Sequence, residues 1–393
     1  MPKITASAAF AHLRILDLTR VRAGPTCVKQ FADFGADVIK IESTEPDDLG
    51  NARDESDFQN LHRNKRSLTL DLKAAEGRQV MARLVKTADI VVENYRPDVK
   101  YRLGVDYESL RAINPRVILA SISGFGQDGP YLERPGFDQI AQGMSGLMSV
   151  TGLPGQGPVR VGAAIADVAA GLFAALGIMT ALAERERSGL GQWVQSNLLQ
   201  AGIALLDFQA ARYTMSGEVA AQTGNDHPTF MPTSAYATAD GYINVAAAGQ
   251  AIWRRLCEAI ERSDLIEQPE FRDAPGRSKH RVALNAEINR ALSKKSSAQW
   301  IEILNRAGVA CGPIYSMDQV FADPQVRHLG VAAEVGHPRL GTLRLLDQAV
   351  KLSRTPAALV AATPEHGEHN EEILRELGYD DSAIARFRTQ RIV

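Results

Sequence analysis

The chain has 393 residues, of which 45% are hydrophobic and 23% are charged. This length exceeds what one ordinary hydrophobic core can organise, so we expect roughly two or three cores. Lys and Arg together number 44 and Asp and Glu 46, which gives a net charge of −2. The balance argues against a nucleic acid or a membrane surface as partner, and it is compatible with a local basic pocket for an anionic ligand.

The three cysteines, Cys27, Cys257 and Cys311, are odd in number and far apart in the chain. A disulfide framework or a zinc cluster needs closer, even sets, so we expect a reducing, cytoplasmic environment and no metal site. The first residues contain no continuous apolar stretch before His12 and Arg14. We therefore expect no signal peptide.

Strand and helix patterns alternate through the first part of the chain. Apolar, β-branched runs predict strands at 13–19, 36–42, 67–72, 88–94 and 116–123. Helical patterns predict helices at 24–35 and 74–88, and the composition of 43–61 indicates a loop. This alternation predicts an α/β fold with a Rossmann-like parallel sheet, covered by helices on both faces.

The second part begins with a Gly- and Pro-rich loop at 123–136, which two helices follow. The second helix contains the apolar run 161–183, which is long enough to span a bilayer. Because this run carries Asp167 and is rich in Ala and Gly, we favour a helix buried in the protein. Polar turn residues at 223–233 indicate a domain boundary. Beyond it we predict strands at 242–248 and 308–316, helices between them, and a helical tail.

Asp167 is unusual because small apolar residues flank it on both sides, and aspartate is seldom buried without a partner. It is either the N-cap of the helix that follows, where it would accept hydrogen bonds from first-turn amides, or a functional carboxylate. The two interpretations are compatible. The start of a helix favours the carboxylate anion, which is the form that a nucleophile needs.

Basic residues form a second pattern near the ends of the predicted strands. They are Arg20, Arg22, Arg63, Lys65, Arg66, Lys73, Arg96, Lys100 and Arg102. Ligands of open parallel sheets bind beyond the carboxyl ends of the strands, where cations suit a phosphorylated ligand. A set of solvated surface charges is equally compatible with the pattern at this point.

Motifs for several further chemistries are missing or incomplete. The segment 19–25, after the first strand, has one glycine, which disfavours the G-x-G-x-x-G dinucleotide site. His366 and His369 have the spacing of metal ligands without a third ligand nearby, so a helix terminus is favoured. Cys27 is favoured as a small buried residue over a nucleophile, because no partner histidine is evident.

Motifs spread over nearly the whole chain occur together: RVRAGP, ADFGADVIKIE, NKRSLTLDLK, ADIVVENYRP, NPRVILASISGFG, GAAIAD, SGLGQWV, AGVACGPIYS, FADPQV and HNEEILRELGY. In this order they resemble the family III CoA-transferases, the group of formyl-CoA transferase, carnitine CoA-transferase and the 2-methylacyl-CoA racemases. The resemblance implies a large domain built from 1–222 and 331–393, a smaller α+β domain at 223–330, and an interlocked, ring-like homodimer. It also implies acyl-CoA and carboxylic acids as substrates, and no tightly bound cofactor.

The resemblance also implies roles for individual residues. The family's nucleophile falls on Asp167, whose carboxylate would attack an acyl-CoA thioester. Contacts to coenzyme A are implied at Arg22, Ala23, Leu70, Asp71, Leu72, Lys73, Asn94, Tyr95, Arg96, Arg102 and Phe137.

Several positions depart from the relatives, among them Ser43 and Pro135, and a glycine-rich insertion of formyl-CoA transferase has no counterpart here. Two departures bear directly on function. Arg22 stands where formyl-CoA transferase has a glutamine, which suggests a dicarboxylic acid as donor or acceptor, or else a contact with a CoA phosphate. Phe137 stands where the racemases have a histidine base, and phenylalanine cannot take a proton. We therefore predict CoA transfer between carboxylic acids, with acyl-CoA racemisation or isomerisation as the alternative. A non-catalytic CoA-binding protein is the interpretation from another class.

Overall fold

The structure is a computed structural model that describes residues 4–45 and 52–393. These residues form two compact units. The large unit contains Met1–Leu147, Val161–Gly217 and Leu329–Val393, as far as they are described, and the small unit contains Met148–Arg160 and Glu218–His328. Both ends of the described chain therefore belong to the large unit.

The large unit is built on one sheet of six parallel strands. They are β1 (Arg14–Asp17), β2 (Asp37–Glu42), β3 (Arg66–Thr69), β4 (Ile90–Glu93), β5 (Ile118–Ser123) and β6 (Trp193–Asn197). Their order is β3-β2-β1-β4-β5-β6, which reverses direction between β1 and β4. The predicted α/β class with a parallel sheet is confirmed. We did not predict β6, an edge strand that pairs with β5 and has mostly half-buried side chains, because it lacks a continuous apolar run.

Helices connect these strands and continue to Ser216. They are α1 (Ala23–Asp33), α2 (Ser56–His62), α3 (Ala75–Val85), α4 (Pro97–Leu103), α5 (Tyr107–Ile113), α6 (Asp138–Met144), α7 (Leu147–Val150), α8 (Ile165–Ser188), α9 (Leu198–Leu205) and α10 (Phe208–Ser216). Of α7, only Leu147 belongs to the large unit. The prediction of a loop at 43–61 is wrong for residues 56–61, which belong to α2. Residues 46–51 of the predicted loop lie outside the described residues. Helix α2 is short and polar, so its periodicity is weak, and buried Leu61 and His62 anchor it.

The sheet is covered on both faces. Ile15 and Leu16 are neighbours in β1, and both are 0% exposed although their side chains point to opposite faces. Ile15 packs in a core with residues of α1 and α8. Leu16 packs in a second core with residues of α3 and the C-terminal segment.

Helix α8 is long and apolar enough to cross a membrane by length and composition, a test that core helices also pass. One stripe of small residues, including Ala166, Ala170 and Ala174, is buried in the core beside the sheet. The opposite face is exposed and includes Leu172 and Leu176. The predicted buried helix is therefore buried along one stripe only.

The small unit contains a three-stranded antiparallel sheet. Its elements are β7 (Thr233–Ala237), β8 (Tyr242–Ala246), α11 (Gln250–Ala259), a 3₁₀ turn (Ser263–Ile266), α12 (Ala274–Lys279), α13 (Arg281–Leu292), α14 (Ser297–Arg306), β9 (Ala310–Pro313) and α15 (Met317–Ala322). Its core contains buried Trp253 and Trp300.

The C-terminal segment returns to the large unit after α16 (Pro324–Leu329). It contains the hairpin β10 (Ala332–His337) and β11 (Gly341–Leu346), then α17 (Asn370–Glu376) and α18 (Asp381–Thr389). Ile373, Leu374 and Phe387 pack in the same core as Leu16. The helical tail that we predicted is two helices, because Gly378, at φ +81, lies between them in a left-handed conformation.

Candidate active site

The turn between β1 and α1 lies where the strand order reverses. Val21 has φ +60 in this turn, a left-handed conformation that β-branched residues seldom adopt. The side chain of Asn94, just after β4, donates a hydrogen bond to the carbonyl of Arg20 (2.8 Å) and accepts one from its N–H group (2.8 Å). Asn94 thus ties the two strand ends together at the point where ligands bind in open α/β sheets. Strained backbone of this kind is frequent at functional sites.

Asp167 is the third residue of α8, whose N-cap is Ala164. The N-cap interpretation of Asp167 is therefore wrong. The capping carboxylate comes from another helix: Asp138 Oδ1 accepts hydrogen bonds from the backbone N–H groups of Ala166 (2.9 Å) and Asp167 (3.4 Å). A local pattern could not reveal this partner, because α6 and the start of α8 meet only through the tertiary fold.

The Asp167 carboxyl group binds its proton more tightly than an exposed aspartate does. Burial, and next the negative charge of Asp138, raise its pKa from 3.8 to about 6, while the positive charge of Arg22 lowers it. We had expected the start of the helix to favour the anion, but burial outweighs that effect. The anion still predominates at pH 7, and its raised basicity suits a nucleophile.

Arg22 lies near both Asp167 and α2. Its guanidinium group forms an ion pair with Asp57, and its side chain is 29% exposed. Gly171 brings α8 close to this turn, since a Cβ atom there would lie 2.4 Å from the carbonyl oxygen of Ala23. Ala23 itself is buried. The arrangement places the cation of Arg22 and the carboxylates of Asp138 and Asp167 around the start of α8.

A cavity of about 720 Å³ lies beyond the carboxyl ends of β1 to β4. Five of the expected CoA contacts line it: Leu70, Asp71, Leu72, Lys73 and Tyr95. Its lining is rich in cations, namely Arg20, Lys40, Arg53, Lys73 and Arg391. Lys40 donates to the carbonyl of Thr19 (3.0 Å), and Arg53 pairs with Glu42 (2.6 Å). The cavity is suited in size and charge to a phosphorylated ligand.

The remaining expected contacts lie outside the lining of this cavity. They are Arg22, Ala23, Asn94, Arg96, Arg102 and Phe137, and Asp167 is outside it as well. Arg96 and Phe137 are exposed, and Arg102 pairs with Asp98 (3.2 Å) on the same helix. The structure therefore brings one subset of the expected contacts together around the cavity and places Arg22 and Ala23 near the start of α8, whereas Arg96 and Arg102 belong to neither group.

The basic run formed by Arg63, Lys65 and Arg66 ends at the first residue of β3. It serves neither as a phosphate contact nor as a set of solvated surface charges, the two roles that the sequence suggested. Arg63, Lys65 and Arg66 are buried, and they pair with Asp33 (2.7 Å), Asp17 (2.8 Å) and Asp37 (2.7 Å), respectively. These cations are neither solvated nor directed at a phosphate. They neutralise buried carboxylates inside the large unit, where an unpaired charge would be costly.

His366, His369 and Cys27 occupy structural positions. His366 Nε2 lies 2.9 Å from the carbonyl oxygen of Ser43, and His369 Nδ1 accepts a hydrogen bond from the N–H group of Ser67 (3.2 Å). No cluster of metal ligands occurs among residues 4–45 and 52–393. Cys27 is fully buried, and burial raises the pKa of its thiol. A buried thiol of raised pKa is a poor nucleophile.

Sequence reasoning missed two kinds of residue. Asp138 was not singled out from the sequence, although its spacing to Gln142 is that of a helical pair, i and i+4. Arg391 lines the cavity from the C-terminal end of the chain, and no local signal connects it with β1.

Fold and site together define an α/β enzyme with a half-buried carboxylate at the start of α8 and a basic cavity beyond the strand ends. The chain belongs to CoA-transferase family III, whose sequence profile matches residues 10–370. It is 36% identical to the succinate–glutarate CoA-transferase of Agrobacterium fabrum, over 94% of this chain and 95% of that protein. It is 35% identical to a formyl-CoA:oxalate CoA-transferase of Rhodopseudomonas palustris, over 96% and 95%. The crystal structure of a CAIB/BAIF family protein from Brucella suis matches with a TM-score of 0.80 and 35% identity, over 93% of this chain and 98% of that one.

These matches confirm the family that the motifs had suggested. They also confirm that the protein is a transferase enzyme, since its relatives are named CoA-transferases. A non-catalytic CoA-binding protein is thereby disfavoured.

Proposed function

We propose that this protein moves CoA from an acyl-CoA to a free carboxylic acid, with Asp167 as the attacking carboxylate. The observation that carries the proposal is the position of Asp167 in the first turn of α8, where it is half-buried with a pKa of about 6. A carboxylate in such a place is ionised at neutral pH and more basic than an exposed one. The names of the relatives support the same class of reaction.

The proposed reaction uses carboxylates and thiolates as its only nucleophiles. The carboxylate of Asp167 attacks the thioester carbonyl, the C–S bond breaks, and CoA leaves as a thiolate from an aspartyl mixed anhydride. The thiolate then attacks the aspartyl carbonyl, which releases the first acid and leaves an aspartyl-CoA thioester. The second acid attacks this thioester, and the same steps in reverse form its CoA ester. Covalent catalysis thus divides one transfer into easier steps.

CoA is proposed to place its phosphates in the basic cavity beyond β1 to β4. The cavity offers Lys73 and Arg391 near its surface, and Arg20 and Tyr95 at the strand ends. Arg20 lies 5.3 Å from the centre of the Tyr95 ring, which holds the guanidinium group over an aromatic face. Such groups suit phosphate and adenine recognition.

We propose a dicarboxylic acid as donor or acceptor, with Arg22 as the group that holds its second carboxylate. Arg22 acts electrostatically on Asp167 and already binds a carboxylate, that of Asp57. A guanidinium group can hold a carboxylate through two hydrogen bonds. Succinate, glutarate and oxalate, which occur in the names of relatives, are all dicarboxylic acids.

Racemisation is the less favoured alternative. Phe137 cannot abstract a proton, and the neighbouring carboxylate of Asp138 accepts hydrogen bonds from two backbone amides and from Gln142 (2.7 Å). A base engaged in this way is poorly placed to take a proton from a substrate. Transfer needs no such base.

We also propose that the protein forms a homodimer, interlocked as the family resemblance implies. Three consecutive helices of the large unit expose large apolar side chains. They include Leu172, Phe173, Leu176 and Met179 on α8, Ile203 and Leu205 on α9, and Tyr213 and Met215 on α10. Apolar surface of this extent is typical of protein interfaces.

The central test is Asp167→Ala, measured with succinyl-CoA and isotope-labelled glutarate. We expect CoA transfer to fall by more than roughly 1,000-fold, because the covalent route is lost. CoA affinity should stay within about threefold, since the basic cavity is untouched. Turnover close to that of the wild type in a folded variant would contradict the mechanism.

The role of Arg22 is tested with Arg22→Gln and two donors, succinyl-CoA and butyryl-CoA. Loss of a charged hydrogen bond should lower kcat/KM for succinyl-CoA by roughly 10- to 100-fold. The value for butyryl-CoA, which has no second carboxylate, should change little in assays at about pH 8, where Asp167 stays ionised without the positive charge of Arg22. The matched control is Arg96→Gln, at an exposed position where the family resemblance implies a CoA contact, and it should affect both donors alike. Equal losses with Arg22→Gln would mean that Arg22 contacts CoA and not the acid.

A further inference from the structure

The segment that leads into α8 is held by side chains of α6. Gln142 is 0% exposed. Its Oε1 accepts a hydrogen bond from the N–H group of Val161 (2.9 Å), and its Nε2 donates to the carbonyl oxygen of Ala163 (3.1 Å). The same Nε2 donates to Asp138 Oδ2 (2.7 Å). One buried amide thus connects the chain before α8 to the carboxylate that caps it.

Packing contributes little to holding this segment. Gly162 and Ala163 are exposed, and a Cβ atom at Gly162 would meet nothing within 4 Å. The first residue of the helix whose side chain is fully buried is Ala166. The orientation of the first turn therefore depends on the hydrogen bonds that Asp138 and Gln142 make with its backbone.

We propose that Asp138 is a positioning residue for the transfer reaction, which fixes the backbone of Asp167 and thereby aims its carboxylate. Asp138 Oδ1 binds the N–H groups of Ala166 and of Asp167 itself. Gln142, one helical turn later, orients the Asp138 carboxylate and is the second member of the pair. The inference rests on the proposed nucleophilic role of Asp167 and deepens it.

Asp138 also acts on Asp167 through its charge. The charged groups that act on Asp167 are Asp138 on α6 and Arg22 at the start of α1, with opposite effects. Three further elements packed against α8, namely α9, β5 and β6, contain no titratable residue. In α1, Asp33 pairs with Arg63, and Cys27 is fully buried. The remaining titratable residue of α1, Lys29, is influenced by the charges of Arg63, Asp33 and Lys65 and not by Asp167. Removal of the Asp138 charge should therefore lower the pKa of Asp167.

The experiment compares pH profiles of kcat/KM for wild type, Asp138→Asn and Asp138→Ala, with succinyl-CoA as donor and glutarate as acceptor. Wild type should lose activity as the pH falls through about 6, where Asp167 takes up a proton. In Asp138→Asn, an acceptor oxygen remains but the charge is gone, so the acid limb should move down by roughly one pH unit. Its amide group would face that of Gln142, and we expect a rate between those of wild type and Asp138→Ala.

Asp138→Ala removes both the charge and the acceptor. We expect kcat to fall by roughly 10- to 100-fold while KM for succinyl-CoA changes little, because a misaligned nucleophile affects the chemical step. The matched control is Asp106→Asn. Asp106 is an equally buried carboxylate that caps α5 by accepting from the N–H group of Ser109 (3.1 Å), and its replacement should leave the pH profile unchanged.

Intact-protein mass spectrometry separates this inference from the proposed function. Wild type incubated with succinyl-CoA should gain the mass of an adduct on Asp167, and absence of any adduct would count against the proposed nucleophile. If the adduct forms, but Asp138→Asn keeps both the wild-type acid limb and the wild-type rate, the positioning role of Asp138 is refuted. A fall in kcat at unchanged KM in Asp138→Asn supports the role even if Asp138→Ala fails to fold.

Discussion

At the scale of single residues, the properties of Asp167 come from its own helix, from burial and from two charged neighbours on different elements, Asp138 and Arg22. Its own helix contributes a favourable field at the first turn, while burial and Asp138 disfavour its negative charge. Arg22 offsets part of that cost. A carboxylate held in this way lowers the stability of the folded protein, a cost that is common for catalytic groups and fits the role proposed for Asp167.

The cost to stability can be measured with Asp167→Asn. Because the folded state raises the pKa of Asp167 from 3.8 to about 6, the folded protein binds this proton more tightly than the unfolded chain. The free-energy cost of ionising Asp167 in the folded protein is absent at a pH below the pKa of the unfolded chain. It grows between the two pKa values and is complete above the pKa of the folded protein. After allowance for partial exposure, we expect the variant to be more stable than wild type by about 1–2 kcal/mol at pH 8.

Urea unfolding at pH 4 and pH 8 tests this expectation. The two proteins should have nearly equal free energies of unfolding at pH 4 and should diverge at pH 8. A difference that is largest at pH 4 would show that the folded state lowers the pKa of Asp167 and does not raise it.

At the scale of elements, the distance between α1 and α8 depends on one small residue. A Cβ atom at Gly171 would lie 2.4 Å from the Ala23 carbonyl and 2.9 Å from Thr26 Cβ. The first of these is a backbone atom, which cannot move aside without displacing the turn that carries Arg22. Alanine is the better helix former by about 1 kcal/mol, so propensity and packing act in opposite directions here.

We expect packing to prevail in Gly171→Ala. The variant should lose about 1–3 kcal/mol of unfolding free energy, the usual cost of overpacking, and should lose transfer activity because α8 shifts against the turn. Gly177→Ala is the control on the same helix, where the added atom would lie 2.7 Å from a methyl group of Val194, a side-chain atom that can move without displacing the backbone. Thermal or urea unfolding and turnover with succinyl-CoA give the comparison. If Gly171→Ala is as stable as Gly177→Ala, the close approach of the two helices is unimportant.

Another element-scale feature is the buried run that precedes β3. Asn64 accepts hydrogen bonds from the N–H groups of Val360 and Ala361, at 3.0 Å each, and Arg66 pairs with Glu372 and Glu376 of α17. The run therefore fastens the C-terminal segment to the sheet. Its charges bind the C-terminal segment to the N-terminal part of the large unit. The sequence alone had suggested that these residues bind a ligand or are solvated.

At the scale of the whole molecule, the exposed apolar helices of the large unit motivate the homodimer. Leu176, at the centre of the exposed face of α8, is 61% exposed. A charge placed there would have to be buried in any interface that covers this face, at a cost of several kcal/mol. We therefore expect Leu176→Glu to weaken or abolish the dimer.

Light scattering after size-exclusion chromatography measures this effect. Wild type should have the mass of two chains and Leu176→Glu that of one, or of a mixture that depends on concentration. Val282→Glu, at an exposed residue of α13 in the small unit, should leave the mass unchanged. A wild-type protein with the mass of one chain would exclude the homodimer, and a dimeric Leu176→Glu would exclude α8 as its interface.

The sequence by itself determined the alternation of strands and helices, the family, and the identity of Asp167 as the residue of interest. These properties depend on local periodicity and on motifs whose order along the chain is specific. Only the tertiary structure decided what surrounds Asp167 and what the basic residues do. The cap of α8 comes from Asp138, and the cations of the run before β3 bind Asp17, Asp33 and Asp37. Long-range pairing of this kind depends on which elements the sheet order brings together, and neighbouring residues in the sequence carry no record of it.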